Sequence, residues 1–90
     1  EAERWGQLKS MERAGAIDQL ERQIKYELNV NGQKICSYIA DYTYLLLDED
    51  GSSRFIVEDA KGVLTPEFRL KKKLMLAIHG IDILLTFKKK

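Results

Sequence analysis

One aspartate lies where a strand would be expected to carry apolar side chains. Asp41 interrupts the run 38–44, which otherwise consists of Tyr, Ile, Ala and Thr. Strands are depleted in aspartate, and a buried carboxylate is costly unless it is paired or bound to a cation. Asp59 and Lys61 stand two residues apart in the next apolar segment, so alternation places both side chains on one face of a strand. These three residues are the first candidates for chemistry.

The spacing of the two segments predicts that carboxylates meet across a hairpin. If the connecting loop is centred on Asp50, Asp41 lies opposite Asp59. If the register differs by one residue, Asp41 lies opposite Glu58 instead. Either arrangement places like charges side by side, which destabilises a sheet unless a cation binds between them. Alternation favours Asp59, because Asp59 shares a face with Lys61 and Glu58 does not.

Such a site would suit a hard divalent cation. Two carboxylates at this spacing are typical ligands of Mg²⁺ or Mn²⁺. A metal lowers the pKa of a bound water and stabilises charge that develops on a phosphoryl oxygen. Lys61 would orient that water or stabilise that charge. The alternative is purely structural: Asp41 is an edge-strand residue open to water, and Lys61 pairs with Asp59.

The elements that would position these residues can be predicted from hydrophobic period and turn residues. Apolar side chains at a spacing of three (Ala2, Trp5, Leu8, Met11) predict a first helix, and Gly15 follows it. Residues 16–23 fit either an extension of the helix or a connector. Alternation begins at Ile24, and Asn31-Gly32 predicts a two-residue hairpin turn. Return strands are expected over about 33–47 and 53–61.

A second helix and a last strand complete the predicted order. Thr65 is a candidate N-cap with Pro66 at the first helical position, and Gly80 closes the helix after His79. Residues 81–87 predict a strand that returns parallel to its neighbour. The predicted fold is therefore α/β of the α+β type, with a helix, three antiparallel strands, a helix and a parallel-returning strand. It occupies a single domain, 1–90.

Composition excludes several classes of protein. The chain has 90 residues, 44% of them hydrophobic and 32% charged, which is enough apolar material for a core. Its longest apolar run, residues 74–78, is far short of a membrane span. A single cysteine, Cys36, excludes an intramolecular disulfide and favours a reducing, intracellular setting. The net charge of +1 hides a gradient, because residues 65–90 contain seven basic and two acidic residues. A basic end suggests a polyanionic partner, and a solvated terminus is the alternative.

Several stretches of the sequence match a known pattern in the same order. They are residues 12–17, Leu20-Glu21 with Gln23, and the segments 38–42, 57–62 and 70–74. Together with Asp41 and the triplet Asp59-Ala60-Lys61, they resemble the PD-(D/E)xK nuclease superfamily. The nearer resemblance is to a family of small phage-encoded proteins with that fold. It covers nearly the whole chain and implies a restriction-endonuclease-like mixed sheet.

The resemblance also implies a site. Asp41, Asp59 and Lys61 fall on catalytic positions, and Glu1 falls on the acidic residue of the first helix. Asp41 and Asp59 would ligate Mg²⁺ or Mn²⁺, joined by the carbonyl oxygen of Ala60. The chain departs from the pattern in having alanine rather than proline before Asp41. Family members also carry a basic segment upstream of Glu1, and we expect that this segment is missing here.

Candidate DNA contacts lie outside the carboxylate pair. Arg69, Lys72 and Lys73 share one helical face and could hold phosphates, with a solvated face as the alternative. The family pattern implies a hydrogen-bonding role near the site for Gln23, with a loop cap as the alternative.

The prediction is a metal-dependent phage DNA endonuclease in the cytoplasm of the bacterial host, with branched or recombination DNA among the compatible substrates. DNA is the expected partner, a homodimer is compatible with this activity, and no membrane contact is expected. One alternative is a catalytically inactive DNA-binding or assembly module on the same fold. Another is an interaction domain in which Asp41 and Lys61 only pair.

Overall fold

A computed structural model describes residues 2–61 and 64–87, with side chains for residues 3–60 and 64–86. The elements are α1 (Ala2–Arg13), β1 (Ile17–Val30), β2 (Gln33–Leu47), β3 (Ser53–Lys61), α2 (Pro66–Leu74) and β4 (Leu84–Phe87). A π-helical turn, Met75–His79, continues α2 and ends at Gly80, whose φ of 69° is left-handed. The mixed α+β class and the predicted order of elements are confirmed.

The four strands form one mixed sheet in the order β1-β2-β3-β4. The first three strands are antiparallel, and β4 pairs parallel with β3 after the crossover through α2. Asn31 and Gly32 adopt φ values of 51° and 77°, so the Asn-Gly turn between β1 and β2 is confirmed. β1 begins at Ile17, which resolves residues 17–23 as strand rather than helix or connector.

Two hydrophobic clusters lie on opposite faces of this sheet. The α1 cluster is built on Leu8, Ile17, Tyr42 and Tyr44, with Trp5 and Met11 packed against it. The α2 cluster contains Leu28, Tyr38, Ala40, Val57, Phe68, Met75 and Ile83. The apolar face predicted for α1 is therefore confirmed at Trp5, Leu8 and Met11.

The sheet changes its buried face in the middle of β1 and β2. Along an uninterrupted strand, residues of equal parity face the same side. Tyr38 and Ala40 nevertheless pack in the α2 cluster, whereas Tyr42 and Tyr44 pack in the α1 cluster. The ladder between β1 and β2 joins Arg22 to Tyr42 and then Ile24 to Ala40 (register pairs), so Gln23 and Asp41 share the position of the switch. Gln23 adopts a left-handed φ of 58°, and this backbone conformation accommodates the change of buried face in β1.

Candidate active site

Asp59 is a buried carboxylate in the middle of the sheet. Its strand, β3, is flanked by β2 on one side and β4 on the other. Alternation places Val57 and Asp59 on the α2 side, and Asp59 is only 1% exposed. The Tyr38 hydroxyl of β2 donates a hydrogen bond to Asp59 Oδ2. This contact fixes the orientation of the carboxylate in a place where a solvated rotamer is not accessible.

Asp41 lies at the point where β2 and β3 separate. The ladder between these strands runs from the Leu47–Ser53 pair to the Tyr42–Glu58 pair. At the following position the Asp41 carboxylate takes over, because its Oδ2 accepts the backbone N–H of Ala60 at 2.9 Å. The side chain therefore replaces a strand carbonyl as the acceptor for β3. Asp41 is only partly buried, so the end of the ladder is accessible from solvent.

The register of this hairpin is the one centred on Asp50. The pairs Tyr42–Glu58 and Tyr44–Ile56 place Asp41 and Asp59 at the next position of the same register. The alternative in which Asp41 lies opposite Glu58 is therefore wrong. The physical reason is that the Glu58 side chain lies on the other face of the sheet, opposite to that of Asp59.

Tyr38 contacts Asp59 and is influenced electrostatically by Asp41 as well. Burial raises the pKa of the Tyr38 hydroxyl, and the hydrogen bond to Asp59 and the charges of Asp59 and Asp41 raise it further. The phenol therefore stays protonated and donates its hydrogen bond to Asp59. Sequence reasoning did not assign Tyr38 to the site. A tyrosine three residues before Asp41 in an apolar strand looks like an ordinary core residue.

Glu58 is held by a separate network on the α1 side. Arg4 grips its carboxylate with two hydrogen bonds, from Nε at 2.7 Å and from Nη2 at 2.8 Å. Tyr44 donates to Glu58 Oε1 at 2.7 Å, and Thr86 donates to Oε2 at 3.2 Å. Burial by itself raises the pKa of Glu58, but the hydrogen bonds from Arg4 and Tyr44 outweigh burial and leave it below its ordinary value. Arg4 gave no sign of this role in the sequence.

Three of the predicted site residues have a different status in the structure. The Lys61 side chain and all of Glu1 lie outside the described residues. The backbone of Lys61 pairs with Phe87 in the parallel ladder, two residues beyond Asp59. Ala60, whose carbonyl oxygen was the predicted metal ligand, contacts Asp41 through its N–H, which donates to Asp41 Oδ2.

The candidate DNA contacts differ in exposure and in ion pairing. Arg69 and Lys73 are exposed on α2, whereas Lys72 forms an ion pair with Asp82 at 2.8 Å. Lys72 is therefore already occupied by a carboxylate of the chain itself. Gln23 is exposed and lies across from Asp41 in the register, so the structure brings it to the edge of the site.

Asp41 and Asp59 carry oxygen donors of the type that Mg²⁺ takes as ligands. Among the described residues, no group of three or more His, Cys, Asp or Glu side chains could hold a metal ion. Mg²⁺, however, is usually bound by one or two carboxylates, with waters and substrate phosphates completing its octahedron. Asp41 and Asp59 supply two such carboxylates. No helix in the described ranges is long and apolar enough to cross a membrane.

Comparison with known proteins places the chain in a family. A family model described as "Protein of unknown function (DUF1064)" matches residues 1–89. The chain belongs to the DUF1064 family. The match to this DUF1064 model includes α1, the whole sheet and α2, and therefore both aspartates of the site. No curated protein and no solved structure gives a significant match to the chain.

Proposed function

We propose that this DUF1064 chain is a divalent-metal-dependent nuclease that hydrolyses phosphodiester bonds in DNA, built on a restriction-endonuclease-like core. The observation that carries the proposal is the register of β2 and β3, which places Asp41 and Asp59 at the position after the Tyr42–Glu58 pair, with the Asp41 carboxylate accepting the N–H of Ala60. Two carboxylates thus stand on neighbouring strands at the open end of a ladder. Keeping like charges so close is unfavourable unless a cation compensates them.

Each candidate site residue has a defined role in this proposal. Asp41 and Asp59 hold Mg²⁺ or Mn²⁺, which supplies an activated water and stabilises charge on the phosphoryl oxygen. The Ala60 N–H holds Asp41, and Tyr38 holds Asp59, so neither carboxylate has to be reoriented when substrate arrives. Lys61 follows Asp59 at a spacing of two in β3 and orients the attacking water. Glu1, which lies outside the described residues, is the remaining acidic candidate.

Charge supports DNA as the substrate. The segment 65–90 carries a balance of +5, with seven basic and two acidic residues. Nucleic-acid affinity depends largely on such phosphate contacts, which position the strand without reading its sequence. Arg69 and Lys73 are exposed on α2, on the segment that carries this charge.

A catalytically inactive DNA-binding or assembly module is the second candidate. The burial of Asp59 favours it, because a carboxylate that is 1% exposed and hydrogen-bonded to Tyr38 can serve a purely structural role. The same fold would then bind DNA without cleaving it. A homodimer is compatible with either candidate.

Metal-dependent stability and cleavage distinguish the two candidates. Millimolar Mg²⁺ or Mn²⁺ should raise the melting temperature of the wild type, because a cation that binds only the folded state stabilises it. Asp41→Asn should abolish this rise while keeping the fold. Glu49→Gln removes a charge from the exposed β2–β3 turn and is the matched control.

Cleavage is measured on linear, nicked and branched DNA with Mg²⁺ and with EDTA. The nuclease proposal expects cleavage with Mg²⁺, none with EDTA, and none by Asp41→Asn. DNA that is bound but never cut, together with equal thermal responses of wild type and Asp41→Asn, would establish the inactive module instead.

A further inference from the structure

A groove lies between β2 and the start of α2. Its volume is about 370 Å³, and residues 37–39 of β2 form one wall. The N-cap Thr65 and the first turns of α2 form the other wall, through Glu67, Phe68 and Lys71. The groove thus joins an apolar strand surface to the basic helix.

Tyr38 connects the groove to the proposed catalytic centre. Its side chain belongs to the wall of the groove, and its hydroxyl donates to Asp59. The Tyr38 ring also packs against Phe68 with a centroid separation of 6.2 Å. A chain that lies in the groove is therefore separated from Asp59 by a single tyrosine side chain.

The charge of α2 favours an anionic occupant. The helix carries Arg69, Lys71, Lys72 and Lys73 against one acidic residue, Glu67. Lys71 is the cation that lines the groove, and its ion pair with Glu67 is long, at 3.6 Å, and solvent-exposed on the Glu67 side. Such a surface pair contributes little stability and is readily exchanged for another anion. Lys72, in contrast, is held by Asp82 at 2.8 Å.

We infer that this groove holds the sugar-phosphate backbone of the DNA strand next to the phosphate that is cleaved, with Lys71 as its phosphate contact. The inference rests on the proposed nuclease function and adds the path of the strand to it. Lys71 takes the role that the helical spacing had suggested for Lys72. Residues 37–39 of β2 form the strand side of the groove, where the Tyr38 side chain faces α2.

The test measures DNA binding without cleavage. Fluorescence anisotropy of a labelled duplex, and of the single strand, is recorded in EDTA over a series of salt concentrations. Lys71→Gln should weaken binding several-fold and reduce the slope of log K against log salt by about 0.9 for the duplex or about 0.7 for the single strand, which is one phosphate contact. The larger effect identifies which form occupies the groove.

A matched control and a second variant make the result specific. Lys9→Gln removes the same charge and a comparable ion pair, Lys9–Glu12 at 3.5 Å, from α1 on the other face of the sheet. Its salt slope should equal that of the wild type. Glu67→Gln removes the acidic charge that lines the groove and pairs with Lys71, at a side chain that is 79% exposed, so the fold tolerates it and DNA binding should strengthen.

The outcomes separate this inference from the nuclease proposal. If the wild type cleaves DNA and Lys71→Gln keeps the full salt slope, the groove inference is wrong and the nuclease stands. If Lys71→Gln loses affinity and Glu67→Gln gains it but no Mg²⁺-dependent cleavage occurs, the strand path stands and the nuclease is wrong. Unchanged affinity of Glu67→Gln, or no salt-dependent DNA binding by the wild type, would also overturn the groove inference.

Discussion

Glu58 and Asp59 are consecutive carboxylates in β3 that serve opposite faces of the sheet. Glu58 is fully buried under α1 and gripped by Arg4, whereas Asp59 is buried on the α2 side and accepts the Tyr38 hydroxyl. Strand alternation alone explains the division. Glu58 thus links α1 to the sheet through Arg4, whereas Asp59 belongs to the candidate site.

Removing Arg4 should be strongly destabilising. Arg4→Met leaves the Glu58 charge buried without its cation, which typically costs about 3–5 kcal/mol. Urea denaturation gives the free energy of unfolding. Arg13→Met changes an exposed arginine in the last turn of the same helix and should cost far less. Adding Glu58→Gln to Arg4→Met should recover part of the loss, and a change of under about 1 kcal/mol for Arg4→Met would show that the network carries little stability.

Glu58 should also make stability sensitive to acid. Burial raises its pKa, but the Arg4 and Tyr44 hydrogen bonds outweigh burial and hold it below the ordinary 4.5. A lowered pKa in the folded state gives stability that is present above the unfolded value and lost as pH falls through the folded value. Melting temperatures recorded from about pH 6 to about pH 3 should fall less steeply for Glu58→Gln than for the wild type. Glu49→Gln should follow the wild type, and parallel curves for all three proteins would contradict this account.

The order of elements could be predicted because local signals agreed with the final packing. The Asn31-Gly32 turn, the Thr65 cap with Pro66 and the apolar face of α1 each depend on neighbouring residues only. The start of β1 could not be predicted. Gln19 and Gln23 have positive φ, which breaks the alternation that would have marked residues 17–23 as strand.

Gln23 occupies a backbone conformation that glycine adopts more readily. Its φ of 58° lies in the left-handed region, which costs other residues about 1–2 kcal/mol. Gln23→Gly should therefore leave stability unchanged or raise it by up to about 1 kcal/mol, even though glycine normally weakens a strand. Lys25→Gly, two residues along β1, should cost about 1 kcal/mol. Equal losses for both variants in urea denaturation would show that Gln23 is not strained.

The candidate site was only partly visible in the sequence. Asp41 and Asp59 could be selected because carboxylates are unusual in apolar strands, and the Asp50-centred turn fixed their relative position. Tyr38 and Arg4 could not be selected in this way. Their contacts join residues 21 and 54 positions apart, and neither residue type is unusual where it occurs.

Because the buried face of the sheet changes at Gln23 and Asp41, the two helices lie diagonally across the sheet from each other. α1 covers one end of the sheet on one side, and α2 covers the other end on the opposite side. Neither helix covers the two remaining quadrants of the sheet. These quadrants contain large apolar side chains that are about half exposed, among them Ile39 at 53% and Phe55 at 52%. Because each helix stabilises its own half, the strands that pass through positions 23 and 41 are the mechanical link between the halves. A bend of the sheet at that seam would alter the spacing of Asp41 and Asp59 while leaving both cores packed.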